Sequence, residues 1–425
     1  MRVISRRTAL LGSLAATLPA PAVRAREDLT LDVMFPFPVG NNREIHSGLA
    51  ERFMRANPDM KIKFRNPAQN YEEMSQQILR AALIGQLPDL SFHGLNLLRL
   101  LVERDLAQPL AGRISAAGGA DLLGYAPAVL DIVRQRGDIY GIPFFISTPV
   151  LYVNETLVHD VGGDPSLLPV DWPGLVALGQ KINATSATRT GFYFQWDVTG
   201  NWMWQALLFS RGGRILSDDE KTAAFDSPEG LWALEQLEAF ARSGMPNLKS
   251  AQARPALAAG TIGILADSSS NIAYAEQQIA GRFPLRVATF PLASPNGKVP
   301  AGGALGVIHA QDPRRADAAW KYLQFCTSPE SQAFMARLTG YMPSNSKSIT
   351  DPSLLGAYYQ EARNQKVSVD QLPVMTNWYA FPGANAVRII DTIRNHLESV
   401  VTGRQGASQT LKQMAADVNR LIGAA

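Results

Sequence analysis

One apolar run with a break at its centre, GIPFFISTPVLYVNETL at 141–157, places the strongest constraint on the fold of this chain. Segments 143–146 and 150–153 are rich in the aromatic and β-branched residues that suit pleated strands. Between them lies Ser147-Thr148-Pro149, where the proline removes a backbone donor from any continuous central strand. Two structures fit this pattern. One is an ordinary edge strand, and the other is a chain that crosses between two lobes with its polar break in the cleft.

The first 25 residues, MRVISRRTALLGSLAATLPAPAVRA, are predicted to be an export signal. A basic start with Arg6-Arg7 precedes an apolar stretch too short to span a bilayer, and small residues lie before Ala25. The SRRTAL motif resembles twin-arginine signals, and a general secretory signal also fits. We therefore expect the protein to act in the periplasm.

The charge of the chain changes once the export segment is set aside. The whole sequence has 40 Lys and Arg against 37 Asp and Glu, and four of the arginines lie in the first 25 residues. The remaining 36 basic side chains are balanced by the 37 acids. We therefore expect no nucleic-acid partner.

Strand-like and helix-like segments alternate along the rest of the chain, which favours an α/β fold. Asn70, followed three residues later by Glu73, is typical of a helix N-terminus. The predicted strands are at 29–37, 61–66, 262–266, 285–290 and 304–309. The predicted helices are at 42–58, 70–85, 227–243, 312–327, 329–338 and 386–402.

Signatures of common catalytic and metal sites are absent from the sequence. It has no G-x-S-x-G, H-E-x-x-H, Walker A or G-x-G-x-x-G motif, and its five histidines are scattered. Acidic pairs such as Glu72-Glu73 are interpreted as solvated charges, and the single Cys326 as a small buried apolar side chain. We predict that the protein is not an enzyme and needs no cofactor or metal. A hydrolase whose carboxylates converge from distant positions is the competing class.

Three segments in order resemble the extracellular solute-binding proteins that serve ABC importers. They are FFISTPVLYVNET, LTGYMPSNSKS at 338–348 and NAVRIIDTIRNHLESVVTGRQGASQTL at 385–411, with SPESQAF before the second. LAERFMRANPDMKIKF extends the resemblance over nearly the whole chain after the export segment. Within that family, the chain resembles the members that bind glycerol phosphate. The resemblance implies a two-lobed α/β fold of the type II periplasmic-binding-protein class, with a hinge of crossing segments.

The same resemblance implies how the lobes and partners are arranged. Lobe 1 would comprise 26–147 and 292–328, and lobe 2 would comprise 148–291 and 329–425. The chain would cross at Ser147 and Thr148, which would face the cleft, again near 287–295, and a third time near 327–339. The implied partners are a small-molecule ligand and membrane permease subunits with a separate ATPase, and the protein itself is expected to be a monomer. A shift between open and closed states would deliver the ligand.

The resemblance also implies a pocket for a small phosphorylated polyol, such as glycerol 3-phosphate or a glycerophosphodiester. A sugar or another anionic sugar derivative is the alternative. Arg388 is the first choice for the phosphate, because a cation in the first turn of a helix is unfavourable unless an anion lies nearby. The alternative is that Arg388 lies on the surface and pairs with Asp391, without a role in binding. The candidate ligand-binding residues are Tyr71, His93, Ser147, Trp196, Trp202, Ser269, Gly303, Tyr341 and Arg388. Trp196 is preferred over Trp202 as the apolar wall of the pocket. For the aromatic residues, packing in the core is the alternative role.

One loop departs from the members that bind glycerol phosphate. Where they carry an acid that holds the glycerol hydroxyls, this chain has His93 and Gly94 in SFHGLN. The glycine is expected to leave space for a larger substituent. This predicts that a glycerophosphodiester, or a comparably bulky anionic polyol, binds at least as tightly as glycerol 3-phosphate. A purely structural role for His93 is the other interpretation.

Overall fold

A computed structural model of the protein describes residues 28–37 and 41–423, so the predicted export signal lies outside the described residues. The strands are β1 Leu29–Met34, β2 Met60–Phe64, β3 Leu90–Gly94, β4 Arg134–Gln135, β5 Asp138–Ile139, β6 Ile142–Ser147, β7 Pro149–Asn154, β8 Thr190–Phe194, β9 Ile262–Ser268, β10 Leu285–Thr289, β11 Val299–Pro300, β12 Gly302–Ile308, β13 Met342–Pro343 and β14 Met375–Thr376. The α-helices are α1 Asn41–Ala56, α2 Tyr71–Leu83, α3 Leu98–Glu103, α4 Ala111–Ala116, α5 Ala120–Leu123, α6 Pro127–Asp131, α7 Glu155–Asp160, α8 Trp172–Asn183, α9 Trp202–Ser210, α10 Pro228–Arg242, α11 Ser250–Ala258, α12 Ile272–Ile279, α13 Pro313–Cys326, α14 Pro329–Leu338, α15 Ser346–Thr350, α16 Tyr358–Glu361, α17 Arg363–Asp370, α18 Ala386–Val401 and α19 Ala407–Gly423. Short 3₁₀ turns lie at Leu95–Leu97, Thr199–Asn201, Ser269–Asn271 and Leu372–Val374, and a π turn at Pro352–Gly356.

The strands form two main sheets. The first has the order β13-β6-β12-β3-β1-β2, and the second has the order β10-β7-β9-β8. Parallel pairing joins β1 to β2 and β3, and β8 to β9, whereas β12 runs antiparallel to both β3 and β6. Helices pack on both sheets, so the predicted α/β layering is confirmed.

The interrupted strand run joins the two sheets. Strand β6 ends at Ser147 in the first sheet, and β7 begins at Pro149 in the second. The chain therefore crosses at Thr148, as the crossing interpretation requires. Thr148 does not face the cleft, however, because its side chain is fully buried among hydrogen-bond partners.

Gln371 connects the first two crossing segments. Its amide Nε2 donates to Thr148 Oγ1 at 2.7 Å and to the Pro149 carbonyl at 2.9 Å. Its Oε1 accepts the N–H of Phe290 at 2.9 Å, in the segment that leads from β10 back to the first sheet. Gln371 is 2% exposed, so these bonds form away from solvent. One buried amide therefore links both crossing segments.

The third crossing lies later in the chain than 327–339. Strand β13 pairs with β6 in the first sheet, and Phe334 of α14 packs under Arg52 of α1 with the guanidinium carbon 4.0 Å from the ring centroid. The chain reaches the second sheet at α17, where Asn364 Oδ1 accepts the N–H of Val287 in β10. Segment 329–350, which the prediction put in the second lobe, thus packs with the first sheet.

The locally encoded elements agree with the sequence predictions. Each predicted helix and strand is present within a few residues of its predicted ends. Asn70 caps α2 by accepting the N–H of Glu73 at 2.8 Å, and Glu73 reaches back to the N–H of Gln69 at 2.9 Å. Cys326 is fully buried as predicted, and burial raises the pKa of its thiol.

Three buried histidines are expected to make the stability of the fold sensitive to acid. Burial lowers the pKa of His46 and His93 to about 3 and that of His309 to about 4. Their pKa in the unfolded chain is about 6.5, so unfolding below that pH takes up protons that the folded protein excludes. The stability is fully present above pH 6.5 and falls as the pH decreases toward 4. Each histidine contributes a slope of about 1.4 kcal/mol per pH unit.

We therefore expect the free energy of unfolding to fall by roughly 3–4 kcal/mol between pH 6 and pH 5. Urea unfolding at a series of pH values measures this slope. In the variant His93→Gln, this pH dependence of the free energy of unfolding should be smaller by about one third. A constant stability over this interval would show that these histidines are protonated in the folded protein.

Candidate functional site

A cleft of about 560 Å³ lies between the units built on the two sheets. This volume falls in the range of small-molecule binding sites. The residues that line it come from both units and from the C-terminal segment: Phe37, Asn42, Asn70, Tyr71, Glu72, Ser147, Asp197, Val198, Thr199, Trp202, Ala251, Arg254, Pro255, Ser268, Ser270, Asn271, Tyr274, Gly302, Gly303, Thr339, Tyr341, Trp378 and Arg394.

Hydroxyl groups and an arginine meet at one part of the cleft. Burial raises the pKa of Tyr341 to about 12, while a hydrogen bond with Ser270 and the charge of Arg254 lower it. The Tyr341 ring stacks on Phe145 with the ring centroids 4.1 Å apart, which fixes its direction. A solute in the cleft would therefore meet a rigid tyrosine and a guanidinium, both of which can hold an oxyanion.

Arg254 is itself paired with a buried carboxylate. Its Nε lies 2.8 Å from Asp267 Oδ2 and its Nη2 lies 3.2 Å from Oδ1, while Asp267 is 1% exposed. The Asn271 amide oxygen, when it faces Arg254, accepts from the same guanidinium. The charge of Arg254 is thus partly neutralised before any solute binds.

Gly303 needs to be glycine for two reasons. Its φ of +118° is a backbone conformation that side-chain-bearing residues rarely adopt, and a Cβ there would lie 2.1 Å from the Phe145 carbonyl oxygen. This close approach lets β12 pair with β6 beside Ser147, where Gly302 and Gly303 line the cleft.

A buried carboxylate lies at another part of the cleft. Glu72 is 9% exposed, and its Oε2 accepts the Thr199 hydroxyl at 2.5 Å across the cleft. Burial raises the pKa of Glu72, and the hydrogen bond from Thr199 opposes this shift only in part. The interpretation of Glu72 as a solvated helix charge was therefore wrong.

Three aromatic rings line the same cleft as this carboxylate. Trp202 and Trp378 have centroids 6.2 Å apart, and Tyr71 lies 6.2 Å from Trp378 in an edge contact. Of the predicted tryptophans, Trp202 lines the cleft, whereas Trp196 is buried with the Lys249 ammonium 3.9 Å from its ring centroid. The preference for Trp196 as the apolar wall is thus not supported by its position.

Five of the nine predicted ligand residues line the cleft: Tyr71, Ser147, Trp202, Gly303 and Tyr341. Trp196, His93, Ser269 and Arg388 do not. Ser269 is fully buried, and its Oγ accepts the N–H of Thr148 at 3.1 Å, so it holds the crossing segment. Arg388 is exposed in the first turn of α18, and in this conformation it makes no contact with the cleft.

His93 and Gly94 do not open additional space. His93 is fully buried, and its ring nitrogens contact Ser75 Oγ at 3.3 Å and the N–H of Gly94 at 3.0 Å. A Cβ on Gly94 would lie 2.7 Å from the Tyr71 ring, so this ring already occupies the space beside the glycine. The prediction of a vacant position here was wrong, and His93 has the structural role.

Several cleft residues were not found by sequence reasoning. Glu72, Arg254 and Trp378 are far apart in the chain and lie in segments without a recognisable site motif. The sequence feature that comes closest to indicating Glu72 is the NYEE motif. This motif placed Tyr71 at the helix start but did not distinguish Glu72 from Glu73.

Comparison with known proteins identifies the family. Residues 48–360 match the sequence model of the family described as bacterial extracellular solute-binding protein. The chain belongs to the bacterial extracellular solute-binding proteins. The sn-glycerol-3-phosphate-binding periplasmic protein UgpB of Shigella dysenteriae is 24% identical over 401 residues, which cover 89% of each chain.

Two solved structures share the fold of this solute-binding protein. UgpB from Mycobacterium tuberculosis, in complex with glycerophosphocholine, matches with a TM-score of 0.81 and 20% identity over 92% of this chain and 98% of that chain. The cyclic alpha-maltosyl-1,6-maltose binding protein from Arthrobacter globiformis matches with a TM-score of 0.75 and 21% identity over 93% and 100%. The predicted type II periplasmic-binding-protein fold is confirmed.

Family membership sets the general role of the protein. It is a solute-binding component of an ABC importer, which binds a small molecule and delivers it to the permease and ATPase. Such proteins work outside the cytoplasmic membrane, in the periplasm of Gram-negative bacteria. Among the residues that the structure describes, no helix is long and apolar enough to cross a membrane, and no group of His, Cys, Asp or Glu is placed to hold a metal.

Proposed function

We propose that the protein binds a small phosphorylated polyol, such as glycerol 3-phosphate or a glycerophosphodiester, and returns it unchanged to the permease. The observation that carries this proposal is the group formed by Arg254, Tyr341 and Ser270 at the cleft, with the Gly302-Gly303 backbone beside Ser147. A guanidinium and several hydroxyls around one point suit a phosphate, whose oxygens accept charge-assisted hydrogen bonds.

The similar proteins support the same ligand class. The Shigella relative is named for sn-glycerol 3-phosphate, and the Mycobacterium structure contains glycerophosphocholine. Our proposal assigns the phosphate contact to Arg254, on the second-sheet side of the cleft. The earlier candidate Arg388 would need to move toward the cleft to take part.

A neutral carbohydrate is the second candidate. Both arginines of the cleft are paired with carboxylates, Arg254 with Asp267 and Arg394 with Asp391 at 2.8 Å. Paired cations attract an additional anion less strongly, whereas aromatic rings and carboxylates can hold sugar rings and hydroxyls. The Arthrobacter protein with the same fold is named for a cyclic maltosyl-maltose.

A thermal-shift panel on the mature protein separates these candidates, because a ligand stabilises the fold in proportion to RT ln(1 + [L]/Kd). The panel contains glycerol 3-phosphate, glycerophosphocholine, sugar phosphates and neutral oligosaccharides. We expect the phosphorylated polyols to raise the melting temperature and to be recovered unchanged. A shift produced only by neutral oligosaccharides would reject the phosphate assignment, and hydrolysis of any ligand would indicate an enzyme.

A further inference from the structure

A group of charged side chains connects the two units outside the lining of the cleft. Arg99 and Glu103 lie on α3, which follows β3 of the first sheet, and Glu220 lies in the turn between α9 and α10. Helix α10 packs on β8 of the second sheet, so this turn belongs to the second unit. Arg99 Nη1 donates to Glu220 Oε1 at 2.6 Å, and Arg99 Nε donates to Glu103 Oε1 at 2.6 Å. One guanidinium is therefore shared by a carboxylate of each unit.

Two further hydrogen bonds extend this contact. The Tyr379 hydroxyl donates to Glu220 Oε1 at 3.0 Å, and the N–H of Gly383 donates to Glu103 Oε2 at 2.8 Å. Tyr379 belongs to the second unit, because its own N–H donates to Gln205 Oε1 of α9 at 3.1 Å. Gly383 shortly precedes α18, which packs against α10. Both the bond from Arg99 to Glu220 and the bond from Gly383 to Glu103 thus cross from one unit to the other.

The backbone of the turn sets the position of Glu220. Its φ of +56° is a conformation that side-chain-bearing residues rarely adopt. The turn is closed by the N–H of Ser217, which donates to the Thr222 carbonyl at 2.9 Å, and by the N–H of Glu220, which donates to the Ser217 carbonyl at 2.9 Å. The Ser217 hydroxyl also donates to Asp219 Oδ1 at 2.6 Å. Strained residues that their surroundings hold in place are typical of functional segments.

The contact is partly removed from solvent. The side chains of Arg99, Glu103 and Glu220 are 23%, 25% and 34% exposed. The hydrogen bond from Arg99 lowers the pKa of Glu220 from its ordinary value, so this carboxylate is ionised at neutral pH. A network of partly buried charges contributes more than an isolated surface pair. The two units cannot move apart at this point without breaking it.

We infer that Arg99, Glu103, Glu220, Tyr379 and Gly383 form an ionic clasp that favours the arrangement in which the two units meet, before any solute binds. The clasp would set the affinity of the cleft without touching the solute, because a larger population of the binding arrangement raises the apparent affinity. This role does not depend on the ligand class, and it applies equally to a phosphorylated polyol and to a neutral sugar.

The separation of the two units in ligand-free protein tests the clasp. Spin labels are attached at Gln76→Cys on α2 and Asn395→Cys on α18, two exposed positions on different units. The native Cys326 is fully buried and stays unlabelled. Pulsed dipolar spectroscopy then measures the populations with the short separation of the present arrangement and with a longer one. We expect Arg99→Gln to raise the ratio of long to short separation by at least about threefold.

Further variants distinguish the clasp from a general effect of charge. Glu220→Gln should raise the ratio as Arg99→Gln does, and the double variant should add little, because all three remove the same pair. High salt should raise the ratio in wild-type protein and have less effect in Arg99→Gln. The matched control is Arg113→Gln, since Arg113 pairs with Asp317 at 2.7 Å within the first unit. This control should leave the ratio unchanged.

Three results would overturn the clasp. The first is an unchanged ratio in both Arg99→Gln and Glu220→Gln, and the second is ligand-free wild-type protein that has only the longer separation. The third is an equal increase in Arg113→Gln, which would show that any lost ion pair has the same effect. None of these measurements contains a ligand, so failure of the clasp leaves the proposed ligand class untouched.

Discussion

Replacing Arg254 with alanine should lower the free energy of unfolding by roughly 2–4 kcal/mol in the absence of ligand. The substitution leaves Asp267, which is 1% exposed, without its two contacts to the guanidinium at 2.8 and 3.2 Å. The N–H of Ser268, at 2.7 Å, would remain as a partner of that carboxylate. Because the Arg254 side chain is 33% exposed, water can reach part of the pair, which reduces the expected loss.

A double variant provides the control for this effect. Arg254→Met combined with Asp267→Asn removes both charges, so the stability should recover by at least half of the loss seen in Arg254→Ala. The double variant also allows a separate test of binding. It should be folded, but it lacks the Arg254 guanidinium that we assign to the phosphate contact. Urea unfolding measures the first effect and calorimetry the second. A double variant as unstable as Arg254→Ala would refute the charge-pair explanation.

Gly303→Ala is expected to destabilise the protein by roughly 2–5 kcal/mol. The new methyl group would meet the Phe145 carbonyl oxygen at 2.1 Å, and the φ of +118° is strained for alanine. Backbone atoms of β6 cannot move away without breaking the pairing of Gly303 with Ile146. Thermal unfolding of the ligand-free variant measures the loss.

The adjacent glycine provides a matched comparison. A Cβ on Gly302 would meet the Ser147 hydroxyl at 2.6 Å and the Trp202 ring at 2.8 Å, which are side-chain atoms of the cleft. Gly302→Ala should therefore cost less stability than Gly303→Ala and should weaken ligand binding by displacing those groups. Equal stability losses in the two variants would contradict the assignment of Gly303 to the packing of the fold and of Gly302 to the ligand site.

Local patterns in the sequence were sufficient to predict most of the fold. The change at Thr148 from one strand to the next depends on neighbouring residues, as do the Asn70 cap and the amphipathic helices. The third crossing was misplaced because β13 joins the first sheet through pairing with β6, a contact between residues nearly 200 positions apart. Such pairing leaves little trace in a stretch of two residues.

The site was predicted less completely, because it too depends on contacts between residues that are far apart in the chain. Resemblance to the family identified Tyr71, Ser147 and Tyr341, which occur in continuous motifs. Glu72 and Arg254 acquire their importance from burial against partners in distant elements, Thr199 and Asp267 respectively. Neither charge can be distinguished from a solvated one by its neighbours in the chain.

Calorimetric titration of the mature protein with glycerophosphocholine, and with maltose as the neutral comparison, distinguishes a phosphorylated ligand from a neutral sugar. We expect saturable heat for the phosphodiester, which the Arg254 and Asp267 double variant should lose, and no saturable heat for maltose. Saturable binding of maltose together with no heat from the phosphodiester would contradict this expectation.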